Sequence, residues 1–218
     1  MANENKMEKE IMVIHKDLLF INDLFNGFKK YDERDYESRI LKNFTYMRRG
    51  DVEENPEYKQ PIAYCAIINP YLRKVFAFQR SKKDKDYAEK RLQGNWSWGV
   101  GGHIDKEDYK NGKNPLNRSM EREIDEEIEF VNGKILNVYP LGYIYLGKGI
   151  NMVNDVHFGI LYAVETDATI IKPRDNEMIQ GRLRTIRELE EICSSSGLIV
   201  EDWSKTALIP LKEFLGGH

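Results

Sequence analysis

An α/β fold is what this sequence predicts, and three observations carry the prediction. Stretches with the period of a strand alternate with stretches at helical spacing along most of the 218 residues. The apolar share of 41% is globular, and this length suits one domain with a sizeable core. No internal repeat or low-complexity tract interrupts the alternation.

Taken in order, residues 1–9 are charged and expected to fray. Residues 11–15 read as a short strand, and Leu18-Leu-Phe-Ile21 with Leu24-Phe25 as a compact apolar turn or helix. Helical spacing through Ile40, Leu41, Phe44 and Met47 predicts a helix over 36–47. The apolar content of this N-terminal stretch predicts that it packs on the main body. Residues 61–68 and 74–78 read as a hairpin about Asn69-Pro70-Tyr71. A charged loop over 80–91 follows, then a short strand over 96–100 that runs into Gly101-Gly102. In Asn111-Gly-Lys-Asn-Pro115, Asn114 suits a helix cap and Pro115 the first helical position, and that helix is expected to end near Asn132-Gly133. Strands are expected over 135–145 and 156–165. The second alternates Val156, Phe158, Ile160, Tyr162 and Val164, the sign of a half-buried strand. Thr185-Ile-Arg-Glu188 is a capping box for a helix stopping around Gly197, and 201–215 reads as a last helix broken or ended near Pro210.

Composition excludes several function classes. A net charge of −3 gives no reason to expect nucleic-acid binding, which normally needs a basic face. Cys65 and Cys193 lie far apart without C-x-x-C spacing and imply neither a disulfide scaffold nor zinc. The polar start is no signal peptide, and no run reaches the roughly 18 apolar residues that a membrane span needs. The expectation is a cytoplasmic protein with no membrane contact, acting on a small molecule. A homodimer using the N-terminal stretch is compatible with the sequence.

The chemistry concentrates in Arg122-Glu123-Ile124-Asp125-Glu126-Glu127. Glu123, Glu126 and Glu127 are related as i, i+3 and i+4, so they share one sector of a helix, where each like-charge pair costs roughly 0.2–0.5 kcal/mol. A hard divalent cation bound through oxygen would turn that penalty into affinity. Glu121, Asp125 and Glu129 fall elsewhere on the helical count and read as a solvated face.

Gly102 followed by this segment resembles the signature of the Nudix hydrolases, G-x5-E-x7-R-E-U-x-E-E-x-G-U, where U is aliphatic. Arg122, Glu123, Ile124, Glu126, Glu127 and Phe130 stand at the R, E, U, E, E and final U positions. Asp108 replaces the first Glu, thirteen residues (109–121) stand where seven are usual, and Glu129 replaces the last Gly. The resemblance implies an α/β/α sandwich with a mixed sheet over residues 60–218, with 1–59 as an N-terminal extension packed on it. The chain looks most like a bacterial subgroup described only as phosphoesterases, which shares such an extension.

By that resemblance the activity is cleavage of a phosphoanhydride in a nucleoside diphosphate derivative or related phosphorylated metabolite, with Mg²⁺ or Mn²⁺ as cofactor. Gly102 (through its carbonyl), Glu123, Glu126 and Glu127 would hold the metal, with Glu123 alternatively orienting the attacking water. Arg122 would anchor the helix on a carboxylate of the preceding loop, with Asp108, Asp105 and Glu107 as candidates. Glu177, with Asp175 second, is the candidate for a further catalytic carboxylate. Phosphate contacts could come from Arg80, Lys82, Lys83, Lys85 or Arg91, with Arg80 favoured because it ends an expected strand, and from His103. Trp96, Trp98, Tyr64 and Phe78 could stack a base but, like Cys65, read first as strand residues of the core, and His157 reads as a hydrogen-bonded structural residue. The alternative function is a ligand-binding or regulatory module on the same fold without turnover.

Overall fold

The computed structural model describes residues 6–81, 92–109, 114–147, 152–174 and 177–217. Lys82, Lys83, Lys85, Arg91 and Asp175, named above for their charge, lie outside the described residues. The chain divides into two compact units that interleave in sequence: 1–64, 101–122 and 141–161 form one, and 65–100, 123–140 and 162–218 the other.

In order, the elements are β1 (Glu10–His15), α1 (Lys16–Phe20), β2 (Gly27–Lys30), α2 (Tyr36–Asn43), β3 (Thr45–Arg48), α3 (Arg49–Val52), β4 (Tyr58–Asn69), β5 (Lys74–Arg80) and β6 (Trp96–Ser97). There follow α4 (Pro115–Glu127), β7 (Ile128–Asn132), β8 (Ile135–Tyr145), α5 (Met152–Val156), β9 (His157–Thr166), β10 (Ile170–Pro173), β11 (Met178–Thr185), α6 (Ile186–Ser194) and α7 (Asp202–Gly216). The main sheet runs β11-β5-β4-β9-β8-β2, with β1 on β4, β3 on β1 and β6 on β5, while β7 and β10 form a separate ribbon. This is the α/β architecture that the alternation predicts.

In the first unit, β1 pairs antiparallel with β3 (Ile11 opposite Met47) and β2 with β8 (Phe28 opposite Ile144). Ile11, Val13 and Val52 form a small apolar cluster there. The helix expected over 36–47 stops at Asn43, and Met47 lies on β3. Thr45 and Tyr46 carry the β-branched and aromatic side chains that suit an extended chain, and the pairing with β1 takes up their backbone groups.

In the second unit, β5 pairs with β11 (Leu183 opposite Phe76), and the hairpin from β4 turns where Asn69 Oδ1 accepts the Leu72 N–H at 2.9 Å. The helix α4 ends at Glu127, five residues before the expected stop, because Ile128-Glu-Phe-Val-Asn132 pairs antiparallel with β10. The apolar and β-forming residues there gain more from a ribbon than from another helical turn. All ten residues of β9 are buried, so its alternation marks a strand covered on both faces and not a half-exposed one. Val156 closes α5 and is not part of that strand.

The capping box holds at α6: Thr185 Oγ1 accepts the Glu188 N–H at 3.2 Å, and Glu188 Oε2 accepts the Thr185 N–H at 2.8 Å. The last helix runs through Pro210 without a break. Interior proline costs a helix ~3 kcal/mol. The stripe of Ser204, Ala207, Leu211 and Leu215, all buried, outweighs it.

Candidate active site

The loop after β6 begins at a position only glycine can occupy. Gly101 has φ +149, and a Cβ there would sit 2.1 Å from the Ala63 carbonyl oxygen. The chain then forms a bridge between His103 and Ile62 and another between Asp105 and Ile11. A single 3₁₀ turn over Lys106–Asp108 is closed by a capping box, in which the Asp108 carboxylate accepts the Asp105 N–H at 2.9 Å.

That turn aims Asp108 at Arg122. Arg122 Nε donates to Asp108 Oδ1 at 3.0 Å and Nη2 to Oδ2 at 2.9 Å, a fork-on-fork pair. The same Nη2 donates to the His103 carbonyl at 2.9 Å. The side chain of Asp108 is only 6% exposed and that of Arg122 26%. Of the three candidate partners for Arg122, Asp108 is therefore the one used. Asp105 pairs with Lys9 at 3.1 Å, and Glu107 is exposed. A shorter carboxylate and a longer insertion are accommodated because the tight turn, and not the length of the side chain, brings the oxygen atoms to the guanidinium. Asn114 Oδ1 accepts the Leu116 N–H at 2.9 Å, which restarts the helix at Pro115 as the sequence predicts.

Beyond Arg122 the helix presents its acidic sector. Glu123 is buried (9% exposed), Glu127 is half-buried and Glu126 is exposed. Because α4 ends at Glu127, all three carboxylates stand in its last turns, beside the negative end of the helix dipole. Burial raises the Cys65 thiol pKa, and the charges of Glu127 and Glu123 raise it further, so both carboxylates act on the same buried point of β4. Asp125 is 84% exposed and meets Arg174 Nη2 at 3.4 Å. Arg174 also closes the helix end, its N–H on the Glu127 carbonyl and its Nε on the Ile128 carbonyl, both at 2.9 Å. Glu129, at the signature's last glycine, is exposed as expected, but on a strand opposite Lys172.

The other singled-out residues fall as follows. His103 is held in a network: Gln60 Nε2 donates to the Val52 carbonyl at 3.0 Å, which turns Gln60 Oε1 onto His103 Nε2 at 2.6 Å. The proton therefore sits on His103 Nε2, and His157 Nε2, 3.1 Å away, faces it as an acceptor. Burial, helped by the charges of Arg49, His157, Arg122 and Lys6, holds His103 well below the usual imidazole range, so it is a neutral donor near pH 7. Arg80 ends β5 as expected, but its guanidinium is ion-paired to Glu201 and lies over the Phe78 ring. Glu201 also accepts from Ser97 Oγ at 2.8 Å. Glu177 is half-buried, and its carbonyl accepts the Ser81 N–H at 2.7 Å. Tyr64, Phe78, Trp96, Trp98 and His157 are buried as core residues. Neither Gln60 nor Arg184 is among the residues that the sequence marks for the site. The period-2 run Gln180-Gly-Arg-Leu-Arg was the signal for Arg184, since it puts Arg182 and Arg184 on one face of a strand.

No family model matches the chain. Protein YmaB of Bacillus subtilis (strain 168) is 31% identical over 192 residues, covering 85% of this chain and 90% of that protein. Among solved structures, Tm1382, named as a candidate Nudix hydrolase, superposes with a TM-score of 0.76 at 21% identity, covering 94% of this chain and 100% of that one. A Nudix hydrolase from Alicyclobacillus acidocaldarius superposes at 0.50 and 13% identity, over 70% and 90% of the two chains. No helix among the described residues is long and apolar enough to cross a membrane. With nearly a third of its residues shared along most of both lengths, the chain belongs to the family of protein YmaB, and its architecture is the Nudix fold.

Proposed function

We propose that this protein is a metal-dependent hydrolase that cleaves a phosphoanhydride bond in a nucleoside diphosphate derivative or a related phosphorylated metabolite. The observation that carries the reading is Arg122, clamped by Asp108 and the His103 carbonyl, one residue before a helical turn crowded with carboxylates. Crowding of like charge at the negative end of a helix is a local penalty that a cation relieves.

The donor set suits Mg²⁺ or Mn²⁺, being carboxylate oxygen with no imidazole or thiolate among the ligands. Among the described residues no three His, Cys, Asp or Glu side chains gather into a ready cage. Mg²⁺ does not need such a cage, since it keeps waters and takes ligands from substrate phosphates. Glu126 and Glu127 would hold the ion, and the carbonyl of Gly102 stays in the ligand set on the strength of the motif. When bound, the ion supplies charge neutralisation at the diphosphate and makes water more acidic. Glu123, buried on the same sector, either completes that ligand set or takes the proton of the attacking water. Arg122 touches no substrate; it fixes the register of the helix. Glu177 remains the candidate for a further carboxylate. Arg80 reaches phosphate only by leaving Glu201, and His103 contributes as a neutral N–H only by leaving Gln60.

The deciding experiment is incubation with a panel of nucleotides, nucleotide sugars and dinucleotide polyphosphates, with and without Mg²⁺. Metal-dependent release of phosphate, pyrophosphate or a nucleoside monophosphate from one class is expected. Tight binding of a panel member with no release under any metal condition would move the reading to a binding module. Mg²⁺ is also expected to raise the melting temperature of chelator-treated protein, by up to ~2.7 kcal/mol of stabilisation at a hundredfold excess over Kd.

A further inference from the structure

Arg184 is the most unusual charged residue in the second unit. It is only 8% exposed, it stacks over the Trp96 ring at 4.6 Å, and its Nε has no hydrogen-bond partner. Among the described residues its guanidinium makes no ion pair or hydrogen bond, although the charge of Glu188 acts on it through space, and Trp96 Nε1 beside it is without an acceptor. Buried charges are normally paired, because removing a charge from water costs several kcal/mol. Burial, with Arg182's charge in support and Glu188's charge opposing, lowers the Arg184 pKa below the usual guanidinium value.

The residue faces a cleft of about 510 Å³, lined by Trp96, Gln180, Gly181, Arg182, Arg184 and Ile192. That volume falls within the range of small-molecule sites. Arg182, two residues away on the same strand face, is 63% exposed and meets Glu188 at 3.3 Å. The wall of the cleft is thus an indole, an isoleucine, the Gln180 amide and two guanidiniums, which share the charge of Glu188.

We infer that this cleft is an anion-binding site, sharing no residue with the acidic helix, which takes the phosphate or carboxylate group of a small ligand on Arg184. The guanidinium face is committed to Trp96, which leaves its edge for an oxyanion, the geometry in which arginine is most selective. Gly181 and Ile192 bring apolar surface to the rest of the ligand. An incoming anion supplies the hydrogen-bonded partner that Glu188 does not give Arg184, so binding is favoured by desolvation already met during folding.

The test follows the Trp96 indole N–H signal by NMR in chelator-treated protein, with Trp96→Phe for assignment. Inorganic phosphate and acetate are titrated separately. A saturable shift with phosphate alone identifies a phosphate site, and with acetate alone a carboxylate site. Arg184→Gln should abolish the response and Arg184→Lys should weaken it by about tenfold or more, since lysine lacks the planar fork. Arg182→Gln should weaken it by no more than about threefold, as expected for an exposed, paired charge. Metal-dependent hydrolysis, where the panel reveals it, should survive Arg184→Lys, which separates failure here from failure of the proposed activity. No saturable shift with either anion, or an undiminished shift in Arg184→Lys, would overturn the site.

Discussion

Arg122 and Arg184 are both largely removed from water, and the fold treats them in opposite ways. Arg122 receives two carboxylate oxygens, a backbone carbonyl and the Ser119 hydroxyl, so its charge is met from several sides and its position is fixed. Arg184 receives an aromatic face and the distant charge of Glu188, but no hydrogen bond among the described residues. A cation–π contact is worth ~0.5–2 kcal/mol, less than the effective cost of burying an unpaired ion. The first arginine is therefore a finished piece of structure, whereas the second is incomplete without a partner from solution. Position on the chain does not predict this difference. It follows from what stands opposite each guanidinium: a capped 3₁₀ turn for Arg122 and an open cleft for Arg184.

The sharpest way to break the Arg122 side is to ask whether the helix it clamps carries the chemistry. Glu127→Gln and Asp125→Asn each remove one charge from α4 with little change in volume. Glu127 stands in the acidic sector beside Cys65, whereas Asp125 is 84% exposed near Arg174. Turnover in the metal-dependent assay should fall on the order of 100-fold or more for Glu127→Gln, the loss of several kcal/mol of transition-state stabilisation. For Asp125→Asn it should change by less than about threefold. Folding of the Glu127 variant without metal should be unchanged or slightly better, since repulsion with Glu123 is relieved. Equal losses in both variants would mean that net charge on the helix matters and its acidic face does not.

Next in size is the clamp itself. Arg122→Met leaves the Asp108 carboxylate, 6% exposed, without its guanidinium. Breaking a buried pair costs 3–5 kcal/mol, and the partial exposure of Arg122 brings the expectation down to about 2–3 kcal/mol in urea unfolding. Asp108→Asn should cost somewhat less, because the amide can still accept from the Asp105 N–H. A loss below about 0.5 kcal/mol in both would put Arg122 in the same class as an exposed pair. The stability loss should come with reduced turnover at temperatures where both variants remain folded, since the clamp sets the register of Glu123 and Glu127.

Legibility in the sequence follows the range of the forces involved. Local signals were readable: Asn114-Pro115 starts α4, Thr185 and Glu188 cap α6, and residues 135–145 form one strand with the bounds expected. The acidic sector was readable too, because i, i+3 and i+4 fix it from spacing alone. What failed depends on distant partners. Residues 128–132 become a strand because β10 lies beside them, Met47 because β1 does, and Pro210 stays in a helix because of the packing of Leu211 and Leu215. At the site, three acidic residues competed for Arg122, and only the 3₁₀ turn selects Asp108. The period-2 spacing of Arg182 and Arg184 marks a basic strand face, but the missing hydrogen-bond partner of Arg184 depends on the fold and no sequence pattern displays it.

The smallest effect is the most discriminating for the comparison. Arg184→Met in anion-free buffer removes the stack on Trp96, worth ~0.5–2 kcal/mol, and also removes a buried charge with no hydrogen-bonded partner. The two terms oppose each other, and methionine fills most of the space of the arginine stem. Stability should therefore change by less than about 1 kcal/mol, against a loss of about 2–3 kcal/mol for Arg122→Met under the same conditions. Adding millimolar phosphate or acetate sharpens the contrast. Whichever anion the cleft takes should stabilise the parent protein by mass action and leave the Arg184→Met variant where it was. A loss above about 3 kcal/mol in the Met variant without any anion would show Arg184 to be as finished a structural element as Arg122. The reason for expecting a ligand there would then be gone.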